Sequence, residues 1–236
     1  MFLQQANFTK ENHHVRTCMY ARQRDLLHST WCVSQYILEW LERANMSTDH
    51  IPYVHTLSKR LQTTTWRQLC TAENAYLSNQ ERFTHLKNKE FPVTDYIRPL
   101  KDIDYTPLPD LFHEYFGHMP QMFQQEFADI EHKTALLHFK STTKEQQQRL
   151  FNISWRTIEY WILFENWQTR AVGAWVLSSP WDLKSFYKNE FHLVDATLEK
   201  LMHTPPSPHA KHETLFVCQS LDHRHALLDE FTKKYL

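Results

Sequence analysis

The segment PDLFHEYFGHMP at residues 109–120 carries the strongest signal in this chain of 236 residues. It places His113 and His118 five residues apart between two prolines. Five residues of regular α-helix rotate the second histidine by roughly 140° from the first, so the backbone must leave that geometry if both imidazoles bind one ion. We expect this departure near Gly117, because glycine adopts conformations that other residues avoid. The segment predicts two metal ligands, with two ordinary histidines as the alternative.

A third ligand is expected downstream, where Glu165 continues an apolar stripe at helical spacing. An ionised carboxylate on a buried face is costly unless it is paired or bound to a metal. Glu165 is therefore expected to share a metal with the two histidines, or else to pair with an arginine such as Arg170. Two histidines and one carboxylate form the facial triad of non-heme Fe(II) oxygenases. The preceding positions on the stripe are Leu150, Ser154, Ile158 and Trp161.

Composition limits the class of protein. The chain carries 26 Lys and Arg against 27 Asp and Glu, so its charge offers no footprint for nucleic acid or an anionic membrane. We expect one catalytic domain over residues 1–236, with residues 1–23 as a loosely ordered N-terminal segment. The start lacks the apolar core of a signal peptide, and no stretch approaches the ~20 apolar residues of a membrane span, which predicts a cytoplasmic protein. Four widely spaced cysteines are expected to be reduced thiols.

The pattern of apolar residues and turn formers predicts a mostly α fold with a few short β-strands. Capping boxes are expected at Ser78 with Glu81 and at Thr142 with Glu145. Helices are predicted over residues 24–44, 121–139, 142–167, 187–203 and 221–235, and strands over residues 91–97 and 214–218.

The chain resembles the pterin-dependent aromatic amino acid hydroxylases, particularly the short bacterial phenylalanine hydroxylases. The resemblance covers about residues 25–236 and implies the catalytic-domain fold of that family. It also implies Fe(II) held by His113, His118 and Glu165, tetrahydropterin as co-substrate, and an amino acid and O2 as substrates. The blocks that carry it are TTTWRQL (63–69), RFTHLKNKEFPVTDYIR (82–98), DYTPLPDLFHEYFGHMP (104–120), YWILFE (160–165), VGAWVLSS (172–179) and LFVCQS (215–220).

The resemblance also implies roles for side chains around the metal. Arg98 would grip the α-carboxylate of the amino acid with paired hydrogen bonds, and Asp110 would orient Arg98. Glu114 and Tyr160 match positions near the iron and the pterin. The positions implied in substrate binding are Arg98, Thr106, Asp110, Trp161, Trp175 and Ser178, and those implied in cofactor binding are Ala75, Tyr76, Leu77 and Arg82.

Two pockets depart from the family pattern. Arg82 stands where the family has a stacking phenylalanine, although an arginine also stacks on flat heterocycles. Trp175 replaces a small residue near the side-chain end of the substrate site. These departures suggest an altered amino acid substrate, and they leave two further hypotheses open. One is a pterin-independent iron or two-metal oxygenase, for which His132 and His138 are candidate further ligands, with a solvated helix face as their alternative and favoured role. The other is a non-catalytic metal-binding homologue. With no heptad run for tetramerisation, a monomer or weak dimer is expected.

Overall fold

The computed structural model describes residues 6–72, 77–104, 106, 108–206 and 212–236. Its α-helices are α1 (Lys10–Thr30), α2 (Gln35–Ala44), α3 (Val54–Thr65), α4 (Asn79–Lys87), α5 (Met119–Met122), α6 (Gln125–Lys140), α7 (Lys144–Ile158), α8 (Ala174–Ser178), α9 (Pro180–Tyr187), α10 (Leu198–Met202) and α11 (Leu221–Tyr235). Its strands are β1 (Gln68–Ala72), β2 (Glu90–Thr94), β3 (Trp161–Glu165), β4 (Gln168–Ala171), β5 (His192–Asp195) and β6 (Thr214–Cys218). The predicted mostly α class with short strands is confirmed.

The N-terminal region is more ordered than its sequence indicated. The prediction of a loosely ordered segment over residues 1–23 is wrong from residue 10 onward, because α1 begins there behind an N-cap at Thr9. Met19 and Leu27 of α1 are buried in the core. The single helix predicted over residues 24–44 is two helices, since Trp31 adopts a left-handed conformation and ends α1.

Two sheets organise the rest of the described chain. Strands β1 and β2 form a parallel pair, and the other sheet has the order β4-β3-β6-β5. Strand β6 matches the prediction for residues 214–218, and β2 lies within the strand predicted over residues 91–97 apart from its first residue. The predicted helix over residues 187–203 is wrong in its first half, which contains β5.

The largest error in the prediction concerns the chain after Lys144. The helix predicted over residues 142–167 ends at Ile158, and the chain then turns into β3 and β4. Its N-cap is Thr143, which forms a capping box with Gln146 rather than the predicted pair one residue earlier. The predicted capping box of Ser78 with Glu81 is confirmed.

One hydrophobic cluster runs through the described residues from Val15 in α1 to Phe231 in α11. It includes Phe112 and Phe116, which flank His113, and Trp161 at the start of β3. The four cysteines form no disulfide with one another. Within the described ranges, no helix combines the length and the apolar character needed to cross a bilayer.

Candidate metal centre and adjoining pockets

The two predicted histidines lie on a π-helical turn, His113–His118, that continues directly into α5. A π-turn closes hydrogen bonds between residues five apart, which matches the spacing of the histidines. It brings the Nε2 atoms of His113 and His118 to 3.1 Å from each other. The predicted departure from α-helical geometry is therefore a widened turn. Gly117 keeps a negative φ, so the backbone conformation does not require glycine at this position. Packing does, because a Cβ there would lie 2.5 Å from the carbonyl oxygen of Ala174.

Glu159, immediately after α7, completes a three-ligand cluster with these histidines. Its Oε1 lies 3.2 Å from Nε2 of His118, and its Oε2 lies 3.5 Å from Nε2 of His113. All three side chains are buried, and their ligand atoms lie within 4.8 Å of one another. The arrangement has the donors of a two-histidine, one-carboxylate metal site.

The prediction of Glu165 as the carboxylate ligand is wrong. Its Oε2 accepts a hydrogen bond from the Ser34 hydroxyl at 2.7 Å, and its Oε1 accepts one from the backbone N–H of Gln35 at 3.0 Å. These contacts place the partly exposed Glu165 at the N-terminus of α2, where negative charge is favourable. The alternative pairing of Glu165 with Arg170 is not found either, because Arg170 hydrogen-bonds to Gln168.

Two features of the sequence make Glu159 a candidate beside Glu165. Trp155 precedes Glu159 by the same four residues that separate Trp161 from Glu165, so the motif occurs twice. The run from Tyr160 to Phe164 is rich in aromatic and aliphatic residues, which favours a strand and ends the helix before it. A helix that ends there cannot carry Glu165 on the face of α7.

Burial and charge set the protonation of the cluster. Burial lowers the pKa of His113 to about 3, against the opposing charge of Glu159. Burial would also lower the pKa of His118, but the Glu159 carboxylate outweighs it and the pKa is raised. Burial disfavours the Glu159 carboxylate, yet the charge and hydrogen bond of His118 lower its pKa to about 2. The cluster therefore combines a carboxylate with a neutral imidazole at His113, and both forms suit metal binding.

Ser178 has a contact that the resemblance did not imply. Its hydroxyl lies 2.8 Å from Nδ1 of His113 and donates to the carbonyl oxygen of Ala174 at 2.9 Å. Because the Ser178 hydroxyl donates its hydrogen to that carbonyl, it accepts a hydrogen bond from a protonated Nδ1 of His113. The Nε2 atom of His113 is then unprotonated, with its lone pair directed toward the cluster. Such a contact fixes the tautomer and orientation of a metal ligand.

Arg98 and Asp110 form a buried ion pair, as the resemblance implied. Nε and one terminal nitrogen of Arg98 donate to the two oxygens of Asp110 at 2.8 and 2.9 Å. Asp110 also accepts from the backbone N–H of His113 at 3.1 Å, which links the pair to the metal cluster. The pocket beside this pair is lined by Arg98, Thr106, His113, Trp175 and Ser178, among others.

A second pocket adjoins the cluster on the side of α4 and β2. Of the implied cofactor-binding positions, Leu77 and Arg82 line it, while Ala75 and Tyr76 lie outside the described residues. Glu114 lines it as well, and burial raises the pKa of Glu114 to about 7. Within the described chain, Oε2 of Glu114 has no hydrogen-bond partner.

Tyr160 and Trp161 do not have the places that the resemblance implied. The Tyr160 ring packs on the ring of His212 at 4.0 Å between centroids. Trp161 is buried against Phe127 and lies under the guanidinium of Arg224. Neither is among the described residues that line the two pockets beside the cluster. Phe151 and Trp155 of α7 supply aromatic surface there instead, because α7 ends before residues 160 and 161.

Comparison with known proteins gives the class. The family model described as biopterin-dependent aromatic amino acid hydroxylase matches residues 2–236, and the chain belongs to that family. The phenylalanine-4-hydroxylase of Vibrio cholerae is 31% identical over 174 residues, which is 74% of this chain and 59% of that protein. The matched region thus spans about three fifths of this curated relative.

Solved structures of the family share the fold. Chromobacterium violaceum phenylalanine hydroxylase, with bound iron(III) and 7,8-dihydrobiopterin, superposes with a TM-score of 0.86 at 27% identity, over 96% of this chain and 81% of that one. The apo phenylalanine hydroxylase from Colwellia psychrerythraea gives a TM-score of 0.88 at 25% identity, over 96% and 87% of the two chains. The family suggested by the sequence is confirmed.

Proposed function

We propose that the protein is an iron-dependent monooxygenase that hydroxylates an aromatic amino acid with tetrahydropterin as co-substrate. The observation that carries the proposal is the buried cluster of His113, His118 and Glu159 between two pockets. Family membership and the iron- and pterin-bound relative support it.

The cluster fits Fe(II) in its donor set. Two imidazole nitrogens and a carboxylate are the ligands of mononuclear oxygenases, and they leave positions open for O2 and water. Glu159 Oε2 makes no hydrogen bond within the described residues, so a cation would satisfy a buried acceptor. Bound there, iron would supply the activation of O2.

The pocket lined by Leu77, Arg82 and Glu114 fits a pterin. A pterin ring presents N–H donors along one edge, and the orphaned Oε2 of Glu114 is an acceptor for one of them. The Arg82 guanidinium offers a flat cationic surface, which stacks on heterocycles in place of an aromatic ring. Trp155 contributes an apolar wall and helps to exclude water.

The other pocket would hold the amino acid. Arg98, already oriented by Asp110, would donate to the α-carboxylate, with the Thr106 hydroxyl as a further donor, while Ser178 lines the same pocket and holds His113 in place. The Trp175 ring lies 5.2 Å from the His113 ring and lines this pocket, so it would hold the side chain of the substrate beside the metal ligands.

The test is hydroxylation by the iron-loaded protein. Phenylalanine, tyrosine and tryptophan are each incubated with tetrahydrobiopterin and O2, and products are identified by mass spectrometry while O2 uptake is recorded. We expect one of the three to be hydroxylated at a pterin-dependent rate, and the Glu159→Gln variant to be inactive.

Two outcomes would contradict the proposal in different ways. O2 uptake with an amino acid but without pterin would support the pterin-independent oxygenase. Iron binding with no turnover of any of the three amino acids would support the non-catalytic homologue.

A further inference from the structure

A second group of metal-binding side chains lies outside the site described above. Cys70 of β1, His85 in the last turn of α4 and Glu90 of β2 converge, with their ligand atoms within 4.8 Å of one another. Together with the first cluster, it is one of two such groups among the described residues. We propose that Cys70, His85 and Glu90 bind a zinc ion.

The distances suit a shared ion. Sγ of Cys70 lies 3.3 Å from Nδ1 of His85, and the same Nδ1 lies 2.8 Å from Oε2 of Glu90. Around tetrahedral zinc, with bonds of about 2.3 Å to sulfur and about 2.0 Å to nitrogen and oxygen, ligand atoms stand roughly 3.3–3.6 Å apart. Small side-chain rotations would reach that geometry.

The contacts converge on one ring nitrogen, which distinguishes this cluster from a proton relay. In a thiol–imidazole–carboxylate relay the sulfur and the carboxylate use opposite nitrogens of the ring. Here Cys70 and Glu90 both face Nδ1 of His85, which offers either one hydrogen or one lone pair. A cation among the three atoms serves all of them at once.

The backbone prepares the arrangement. In the parallel pair, Gln68 is in register with Glu90 and Cys70 with Pro92, so Cys70 and Glu90 emerge on the same face. Gln68 Nε2 donates to the other oxygen of Glu90 at 3.2 Å and holds that carboxylate in place. Such outer contacts orient metal ligands.

Accessibility also fits. Cys70 is buried, while the side chains of His85 and Glu90 are 26% and 25% exposed. An ion can therefore enter from solvent, and water can take the fourth position. A thiolate with an imidazole and a carboxylate selects a borderline-soft ion such as Zn²⁺ over Mg²⁺ or Ca²⁺.

The site would join three elements that form a wall of the pterin pocket. Ala72 and Pro92, each two residues beyond the cluster on its strand, line that pocket, as does Arg82 of α4. Zinc would tie the two strands to the end of α4 and hold this wall in position. This role is independent of the chemistry at the first metal.

Cobalt(II) titration tests the proposal without relying on activity. A thiolate bound to Co²⁺ gives an intense ultraviolet charge-transfer band, and the first cluster contains no sulfur, so the band reports only the second site. The protein is first loaded anaerobically with one Fe(II) per chain and then titrated. We expect the band to saturate at one Co²⁺ per chain and to disappear when Zn²⁺ is added.

Variants locate the ion. Cys70→Ser should abolish the band, and His85→Asn should weaken Co²⁺ binding at least tenfold. Cys18→Ser is the matched control, since Cys18 lies 3.6 Å from Nε2 of His14 in a thiol–imidazole pair that belongs to neither cluster, and it should behave as wild type.

Retention of one Fe(II) per chain shows that each variant is folded, and His85→Asn serves if Cys70→Ser does not fold. A wild-type protein without the sulfur band, or a band that survives in Cys70→Ser, would overturn the proposal.

Discussion

The Glu159 carboxylate is buried between the imidazoles of His113 and His118. A buried carboxylate costs several kcal/mol unless charges or hydrogen bonds compensate it. Glu165 instead has neutral partners, a hydroxyl and a backbone N–H, at the start of α2. Glu159 is thus placed to bind a metal, whereas Glu165 caps the N-terminus of α2.

Substitution of each glutamate by glutamine tests which of the two carboxylates binds the metal. We expect Glu159→Gln to lose most of its bound iron, because a neutral amide is a poor ligand for Fe(II) beside two neutral imidazoles. Glu165→Gln should retain one iron per chain, since it alters only the contacts with Ser34 and Gln35. Iron per chain is measured after anaerobic loading and gel filtration. Equal iron contents in the two variants would contradict the assignment.

Arg98 and Asp110 form a second testable pair at this scale. We expect Arg98→Lys to raise the KM for the amino acid about tenfold, equivalent to about 1.4 kcal/mol, because lysine lacks the planar fork that donates two parallel hydrogen bonds. Iron content should be unchanged, since Arg98 is not a ligand. Steady-state kinetics check the first expectation and metal analysis the second, and an unchanged KM would argue against a carboxylate grip.

At the scale of elements, the π-helical turn and α8 are packed with no space between them. The wide turn brings the two histidines together, and α8 carries Ser178, which contacts His113. Close approach of α8 requires Gly117, because a Cβ would meet the Ala174 carbonyl. Gly173, just before α8, is equally enclosed, with a Cβ position 2.3 Å from the Glu159 carbonyl oxygen.

This packing predicts the effect of one methyl group. We expect Gly117→Ala to lower the free energy of unfolding by about 1–3 kcal/mol, because backbone atoms on both sides must shift. It should also weaken iron binding, since His118 is the next residue. Lys59→Ala on the exposed face of α3 is the control and should change stability by less than about 0.5 kcal/mol. Urea unfolding measures the free energy of unfolding of both variants. An unchanged free energy of unfolding in Gly117→Ala would show that α8 can move away from the π-helical turn.

At the scale of the whole molecule, α1 is part of the core. Its buried residues belong to the hydrophobic cluster that reaches α11, and its Gln23 donates to the carbonyl oxygen of Leu177 in α8. The N-terminal helix therefore supports the element that carries Ser178.

Truncation of a core side chain in α1 measures that contribution. We expect Met19→Ala to destabilise the protein by about 2–5 kcal/mol, through lost apolar burial and the cavity that remains. Arg24→Ala, on the exposed side of the same helix, should be within about 0.5 kcal/mol of wild type. Thermal and urea unfolding provide the comparison, and equal effects would mean that α1 contributes little to the core.

The oligomeric state stays a prediction from the sequence. We expect a monomer or weak dimer, because the sequence shows no heptad pattern for a tetramerising helix. Light scattering coupled to gel filtration gives the mass directly, and a stable tetramer would contradict this expectation.

Local patterns predicted much of the fold. The strand over residues 214–218, the final helix from Leu221 and the capping box at Ser78 were found because each depends on residues close in sequence. The order of α1 was missed because it depends on burial against distant elements, and β5 was missed because it depends on pairing with β6 rather than on a buried face of its own. Single-sequence periodicity does not report such contacts.

By itself, the sequence determined the two histidines of the cluster through their local spacing, and the family and the pairing of Arg98 with Asp110 through the resemblance of several motifs to known hydroxylases. Only the tertiary structure decided which glutamate joins the histidines. Glu159 and Glu165 follow tryptophans at the same distance, and the choice depends on where α7 ends. Pairing of β3 with β4 and β6 ends that helix, and the partner residues in β6 lie far away along the chain.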